Sequence, residues 1–341
     1  MKQLLAYCLS IILCVSFTGC MENYLDLYPE DKITSASFPE NESDIKLLLN
    51  GVYAQLREKE VYNQGLFGFG ITDGATPNAF NWGTDEVFNK LGAGRLSSSD
   101  GGVVTYRWKR CYEIISRANY LLACMDLVDL SEEAKAKYSG ETHFLRGLAY
   151  SVLAETYGGV PIILTNISTE EARSLKRASL EETWQQALDD YEVAITNLGV
   201  DAPEPGRATK GAALGMKMRA YLYQGKYKEV LSCVEQIDAL KKYGLFHSYE
   251  GLFDPANENN KEVLFDIQYI EGENSQGSYI DQYCGTGTGS WTRGSRYVPT
   301  DDLVAAYETI DGSPVDPENP YENRDPRLGF TAVLPGSYFL G

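Results

Sequence analysis

Between residues 44 and 240 the apolar residues recur at three- and four-residue intervals, segment after segment, and this restricts the chain to a mainly helical fold. The first segment, 44–57, sets Ile45, Leu48, Leu49, Val52, Tyr53 and Leu56 on one face. The second, 104–127, does the same with Trp108, Cys111, Ile115, Ala118, Leu122 and Met125. A third opens at Ser131, an N-cap followed by Glu132 and Glu133, whose charges suit the positive end of a helix. It runs through Phe144, Leu148 and Leu153 to Tyr157, where Gly158-Gly159 stops it. Ser179 with Glu182 is a capping box for a fourth, bearing Trp184, Leu188, Tyr191, Ile195 and Leu198 and ending at Gly199. Two more segments, 209–223 and 226–240, are joined by Gln224-Gly225, a link so short that they must be antiparallel neighbours.

That last pair, from Ala220 through Tyr227 to Val230, resembles a tetratricopeptide hairpin, with small and aromatic residues where the helices interlock. The economical fold is therefore a helical-repeat core. Two stretches break the periodicity. Residues 60–102 are rich in Gly, Asn, Ser and Asp yet carry Phe67, Phe69, Phe80, Trp82 and Phe88. A loop of that length in a compact domain is functional or disordered, and its aromatics weigh against disorder. From 245 onward the sequence turns to Gly, Asn, Pro and Tyr, with one strand expected over 262–269 and irregular structure elsewhere.

Charge removes one class of function. With 30 Lys+Arg against 48 Asp+Glu, a net charge of −18, the chain lacks the clustered cations that neutralise a phosphate backbone, so nucleic acid is excluded as a partner. The N-terminus sets the compartment: Lys2 precedes an apolar run from Leu4 to Phe17, too short for the ~20 residues of a spanning helix but suited to a signal peptide. The run ends in Thr18-Gly19-Cys20, which resembles a bacterial lipoprotein signal; 1–19 would be removed and Cys20 lipidated. No later stretch is long and apolar enough to cross a bilayer, so the lipid would hold the body at a membrane. Of the remaining cysteines, Cys111 and Cys124 share one predicted helix about 20 Å apart, too far for a disulfide. With no CxxC spacing, they, Cys233 and Cys284 read as small buried apolar residues.

Several segments, weak singly, occur together and in order. They are Tyr24-Leu-Asp-Leu-Tyr-Pro29, Leu49-Asn-Gly-Val-Tyr53, His143-Phe-Leu-Arg-Gly-Leu-Ala-Tyr150 running into Tyr157-Gly-Gly-Val-Pro161, Gly206-Arg-Ala-Thr-Lys-Gly-Ala-Ala213, and Arg324-Asp-Pro-Arg-Leu328. On these the chain resembles the SusD/RagB family, surface lipoproteins of Bacteroidetes that capture nutrients, mostly glycans, for a SusC-like TonB-dependent transporter. The resemblance implies a tetratricopeptide-like core with long irregular ligand-binding loops. It also implies an anchor and tether over 20–43, a helical domain over 44–244 with the loop insertion 60–102, and an irregular domain over 245–341. Chains of that family continue well beyond the Arg324 to Leu328 element. Against that pattern this chain reads as truncated at its C-terminus, its second domain incomplete and some apolar core surface uncovered.

Sugar recognition needs flat rings to stack on the C–H face of a pyranose and planar polar groups to meet its hydroxyls. Two segments carry that mixture: 73–82, and the Gly-rich 283–297. The resemblance places the family's ligand face in loops from these two parts of the chain. The candidate platforms are Trp82 and Trp291, with Tyr283 or Tyr297 as a third, and the hydroxyl partners are Asp73, Asn81 and Arg293. A bland role stands beside each: a loop Trp can plug its loop onto the core, and Asp73 before Gly74 can simply set a turn. Trp108 and Trp184, at helical apolar spacing, read as core.

Catalysis has little to stand on. A glycosidase needs two carboxylates across a cleft, and no segment near the candidate loops isolates one in apolar surroundings. His143 and His247 are the sole histidines and lie outside metal-ligand spacing, while Gly285 to Gly289 lacks the lysine and the strand-to-helix setting of a phosphate loop. The oxygens of 311–325 lack EF-hand spacing. No cofactor or metal is expected. The leading reading is a non-catalytic glycan-binding lipoprotein; a peptide-binding lipoprotein of the same fold, a glycoside hydrolase and a purely structural helical-repeat adaptor stay open.

Overall fold

The computed structural model describes residues 38–57, 73–81, 90–97, 99–269 and 297–337. Helix α1 (Glu42–Tyr53) opens two residues before the apolar pattern does, because Asn41 and Asp44 cap each other reciprocally. A 3-10 turn, Ala54–Arg57, carries it to its expected end. Helix α2 (Val103–Cys124) continues into the 3-10 turn Met125–Leu127. In α3 (Glu132–Tyr157) the Ser131 hydroxyl accepts from the Ala134 amide at 3.2 Å, and the helix stops at Gly158, whose φ of 75° suits a residue without a β-carbon. The short α4 (Thr169–Ser174), which the periodicity does not signal, is capped by Ser168 and Glu171. Helix α5 (Leu180–Asn197) has the expected box of Ser179 and Glu182, and α6 (Lys210–Tyr223) is capped by Thr209. Next comes α7 (Tyr227–Ala239). The described remainder adds strands β1 (Ala79–Asn81) and β2 (Tyr297–Pro299) and helices α8 (Asp301–Ala306) and α9 (Arg327–Thr331).

Each long helix packs on its neighbour in the chain, α1 on α2 and α3, α2 on α3, α3 on α5, α5 on α6 and α6 on α7, which is a stack of helical hairpins. The mainly helical, tetratricopeptide-like expectation describes this architecture. The α3–α5 contact is the most extensive, and Gly147 makes it possible. A β-carbon there would come to 3.0 Å of the Tyr191 ring and 3.1 Å of the Ala187 carbonyl. Around it Tyr150, Tyr191 and Phe144 are fully buried.

The segment from His143 to Tyr150 accounts for much of what is polar in this core. Arg146 donates to Asp190 through Nε at 3.0 Å and Nη2 at 2.7 Å, and to the Asn119 amide oxygen at 2.8 Å. Asn119 in turn donates to the Ile163 and Thr165 carbonyls. The Tyr150 hydroxyl donates to the Ile163 carbonyl and accepts from its amide, at 2.9 and 2.7 Å. Tyr112 holds the Pro161 carbonyl at 2.7 Å. These bonds sew the extended 160–165 strip onto α2 and α3, leaving its buried backbone groups paired.

One expected element is corrected. Residues 262–269 form no strand; a turn at Glu262 and a bend at Leu264 break the segment, with Phe265 and Ile267 packed on the core and the Phe265 ring edge-on to Phe144 at 4.9 Å. No neighbouring described strand offers it a ladder. Other readings match the structure. Cys111, Cys124 and Cys233 are free and buried, Trp184 is buried, and Trp108 sits half-buried between Tyr112 and Tyr157 at 5.0 and 5.2 Å. Cys284, the signal 1–19 and Cys20 lie outside the described residues. Among the described residues no helix is long and apolar enough to cross a membrane. The outer side of α7 leaves Tyr227, Leu231 and Val234 exposed.

Candidate functional site

The first candidate segment folds as a chain of small hydrogen-bonded turns. Asp73 is exposed and starts a 3-10 turn, its carbonyl accepting from the Thr76 amide at 2.9 Å and the Thr76 hydroxyl at 2.7 Å. Thr76 Oγ1 accepts from the Asn78 amide at 3.1 Å, turning the chain into β1. Turn formation is thus what the Asp73 backbone does here, as the bland reading of Asp-Gly allowed. Gly92 comes back over this turn, so close that a β-carbon on it would lie 3.2 Å from the Ala75 carbonyl oxygen.

β1 pairs with β2 in an antiparallel ribbon in which Ala79 faces Pro299, Phe80 faces Val298 and Asn81 faces Tyr297. Thr300 fastens its far end, donating from its amide to the Asn78 carbonyl at 3.0 Å and from its hydroxyl to the Pro77 carbonyl. The same hydroxyl accepts from the Leu303 amide and caps α8. The register has a direct consequence for the two candidate segments. The chain runs from Asn81 into Trp82 and arrives at Tyr297 from the 283–296 stretch, so both leave the ribbon at one end. Asn81 and Tyr297 are therefore brought together through their backbones, whereas Trp82, Tyr283, Trp291 and Arg293 lie outside the described residues. Strands of three residues give no readable alternation, so nothing in the sequence announced this ribbon.

A separate polar centre joins two of the resembling motifs. The Tyr53 hydroxyl donates to Glu141 Oε2 at 2.7 Å and accepts from the Ala208 amide at 2.9 Å. Arg207 lies 3.6 Å from the same carboxylate oxygen, 5.0 Å from the Tyr53 ring centre, and donates to the Asn50 side chain at 2.6 Å. Burial, the main cause, holds the Glu141 carboxyl above the usual carboxylate range, against the pull of the Tyr53 hydrogen bond and the Arg207 charge. A hollow of about 340 Å³ opens beside it, lined among others by Glu42, Lys46, Tyr138 and Glu204. The arrangement cross-links α1, α3 and the turn before α6. His143, also on α3, has its Nδ1 2.8 Å from the Ser139 carbonyl oxygen, and burial lowers its pKa. Among the described residues no group of three His, Cys, Asp or Glu is assembled to hold a metal ion.

The described residues thus form a stack of helical hairpins carrying a two-stranded antiparallel ribbon that joins two distant parts of the chain. A family model described as starch-binding and associating with the outer membrane matches residues 23–222, and the model of the SusD family matches 261–341. The chain belongs to the SusD family. It is 26% identical over 321 residues to a SusD-like protein of Formosa agariphila, covering 87% of this chain and 58% of that one. A solved SusD-like carbohydrate binding protein of Bacteroides fragilis is 28% identical with a TM-score of 0.75, covering 85% of this chain and 59% of its own. A second SusD-like structure from that organism, 25% identical, superposes with a TM-score of 0.73 over 89% of this chain and 62% of its own. The chain thus spans about three-fifths of the length of these relatives.

Proposed function

We propose that this chain is a non-catalytic glycan-binding lipoprotein of the outer membrane that captures oligo- or polysaccharide and passes it to a SusC-like TonB-dependent transporter. The observation that carries the reading is the pairing of Asn81 with Tyr297, which gives segments 73–82 and 283–297 a common origin in a chain of the SusD family. On this reading Trp82 and Trp291 stack on sugar rings with Tyr283 or Tyr297, and Asp73, Asn81 and Arg293 meet hydroxyls. Residues 1–19 are the signal, Cys20 carries the lipid, 20–43 is the tether, and the 44–244 and 245–341 domains supply the scaffold and second loop. The net charge of −18 suits an uncharged ligand better than an anionic one.

One solved relative is a laminarin-binding SusD-like protein and another is a surface glycan-binding protein from Bacteroides fluxus. Laminarin and starch are accordingly the first probes in a wider polysaccharide panel. Affinity electrophoresis and isothermal titration should show binding by the wild-type chain. Replacement of Trp82 or Trp291 by Ala should weaken it by about 1–3 kcal/mol per stack, on the scale of aromatic stacking against nucleic-acid bases. Binding to oligopeptides and to no glycan would overturn the reading, as would release of new reducing ends during incubation.

A further inference from the structure

Away from the ribbon's loop end, the C-terminal end of α8 borders a hollow of about 330 Å³ lined by Tyr249, Leu303, Tyr307, Glu308, Asp325 and Arg327. Its frame is fixed by the buried Arg324, which donates to the carbonyls of Val304 and Tyr307 at 2.6 Å each and of Pro320 at 2.7 Å. The backbone bond from the Asp325 amide to the Glu308 carbonyl, 2.8 Å, closes the same frame. Arg327 is paired with Asp325, its Nε lying 2.9 and 3.0 Å from the two carboxylate oxygens. Tyr249 is about half exposed, with Phe253 edge-on at 5.6 Å and Phe330 at 6.3 Å, both also exposed. The Tyr307 hydroxyl is tied to Thr331 at 2.8 Å, which fixes its ring.

We propose that this hollow is a second sugar-binding subsite, in which Tyr249 and Tyr307 offer rings to a pyranose and the Asp325–Arg327 pair meets its hydroxyls. The inference rests on the glycan-binding reading above and extends it to a site at the other end of β2 and α8. The hollow has the size of a small-ligand site, and a carboxylate, a guanidinium and Glu308 at its rim supply hydrogen-bond partners beside the two rings. The Arg327 bond keeps the Asp325 carboxyl at a pKa of about 2, so the acceptor is ionised at any pH used for binding. Three residues of strand and six of helix separate the hollow from the ribbon's loop end, a path of about 20 Å. A polysaccharide long enough to reach both contacts would engage the second at a raised effective concentration.

The test compares wild type with Tyr249→Ala, Tyr249→Phe and Arg327→Ala on laminarin and starch and on short oligosaccharides cut from each. Thermal unfolding midpoints serve as the control for folding. Arg327 is exposed and its ion pair with Asp325 adds little to stability, so that variant stays informative even if Tyr249→Ala misfolds. The expected result is a loss of polysaccharide affinity of about 5- to 150-fold for Tyr249→Ala, the same stacking scale converted to a ratio, and little loss for Tyr249→Phe. Affinity for the short oligosaccharides should hold. Unchanged polysaccharide binding in Tyr249→Ala and Arg327→Ala, with loss in Trp82→Ala and Trp291→Ala, overturns this inference and leaves the proposed function standing. A wild-type chain that binds no glycan overturns both.

Discussion

Asp190 shows how much one side chain can be asked to hold. Its carboxylate takes two bonds from Arg146, which also holds Asn119, which holds the 160–165 strip, so a single buried charge neutralises the centre of the network. Replacing it by Ala strands a buried guanidinium, and a cost of about 3–5 kcal/mol is expected in urea unfolding. A loss below 1 kcal/mol would mean that water or another group satisfies Arg146. Glu141 makes an opposite kind of statement. Its folded-state pKa is raised from 4.5, so the native protein holds that proton more tightly than the unfolded chain does. The favourable contribution is complete below the ordinary carboxyl pKa and is lost as pH rises through the elevated one. Denaturant midpoints from about pH 4 to 7 should therefore fall less in Glu141→Gln than in wild type; parallel curves would contradict this.

At the scale of the element, the long helices were legible because each carries the helical period, to which α3 and α5 add a recognisable cap. Asn41 was missed as a cap because its partner is Asp44 rather than the Glu or Gln usual in such boxes, which shifted the start of α1 by two residues. The 262–269 segment misled for a different reason. Apolar, β-branched and aromatic residues suit any segment that packs on a core, and a strand also needs a neighbour. Gly147 could be read as a weak point in a helix, yet the structure makes it the contact on which α3 and α5 close. Gly147→Val should destabilise by about 1–3 kcal/mol, since the Ala187 carbonyl cannot move aside, and this outweighs a helix-propensity gain below about 1 kcal/mol. A variant as stable as wild type would show that the helices can part at little cost.

For the whole molecule, sequence reasoning reached the architecture and family more readily than the site. Tyrosines outnumber phenylalanines 24 to 12, and five of them, Tyr53, Tyr112, Tyr150, Tyr157 and Tyr191, each place a hydroxyl on a partner inside or at the edge of the core. The pairing of 79–81 with 297–299 could not be read locally, because contact between distant parts of the chain leaves no local pattern. Tyr249 and Tyr307 were passed over since neither period nor motif singles them out, and Arg327 because its motif, Arg324 to Leu328, signals the family rather than a contact.

The ribbon also bears on the order of events as the chain folds. Thr300 bonds to Pro77, 223 positions earlier, while the hairpins between them need only near neighbours. Local contacts close quickly and distant ones slowly, so the scaffold is expected to form first and the ribbon among the last elements. On the proposed function, a binding assay would also report whether the ribbon has closed. A molecule whose helices are formed but whose two ends have not met has a scaffold without the face proposed to bind sugar, and would be silent in a binding assay while looking native by its helix content.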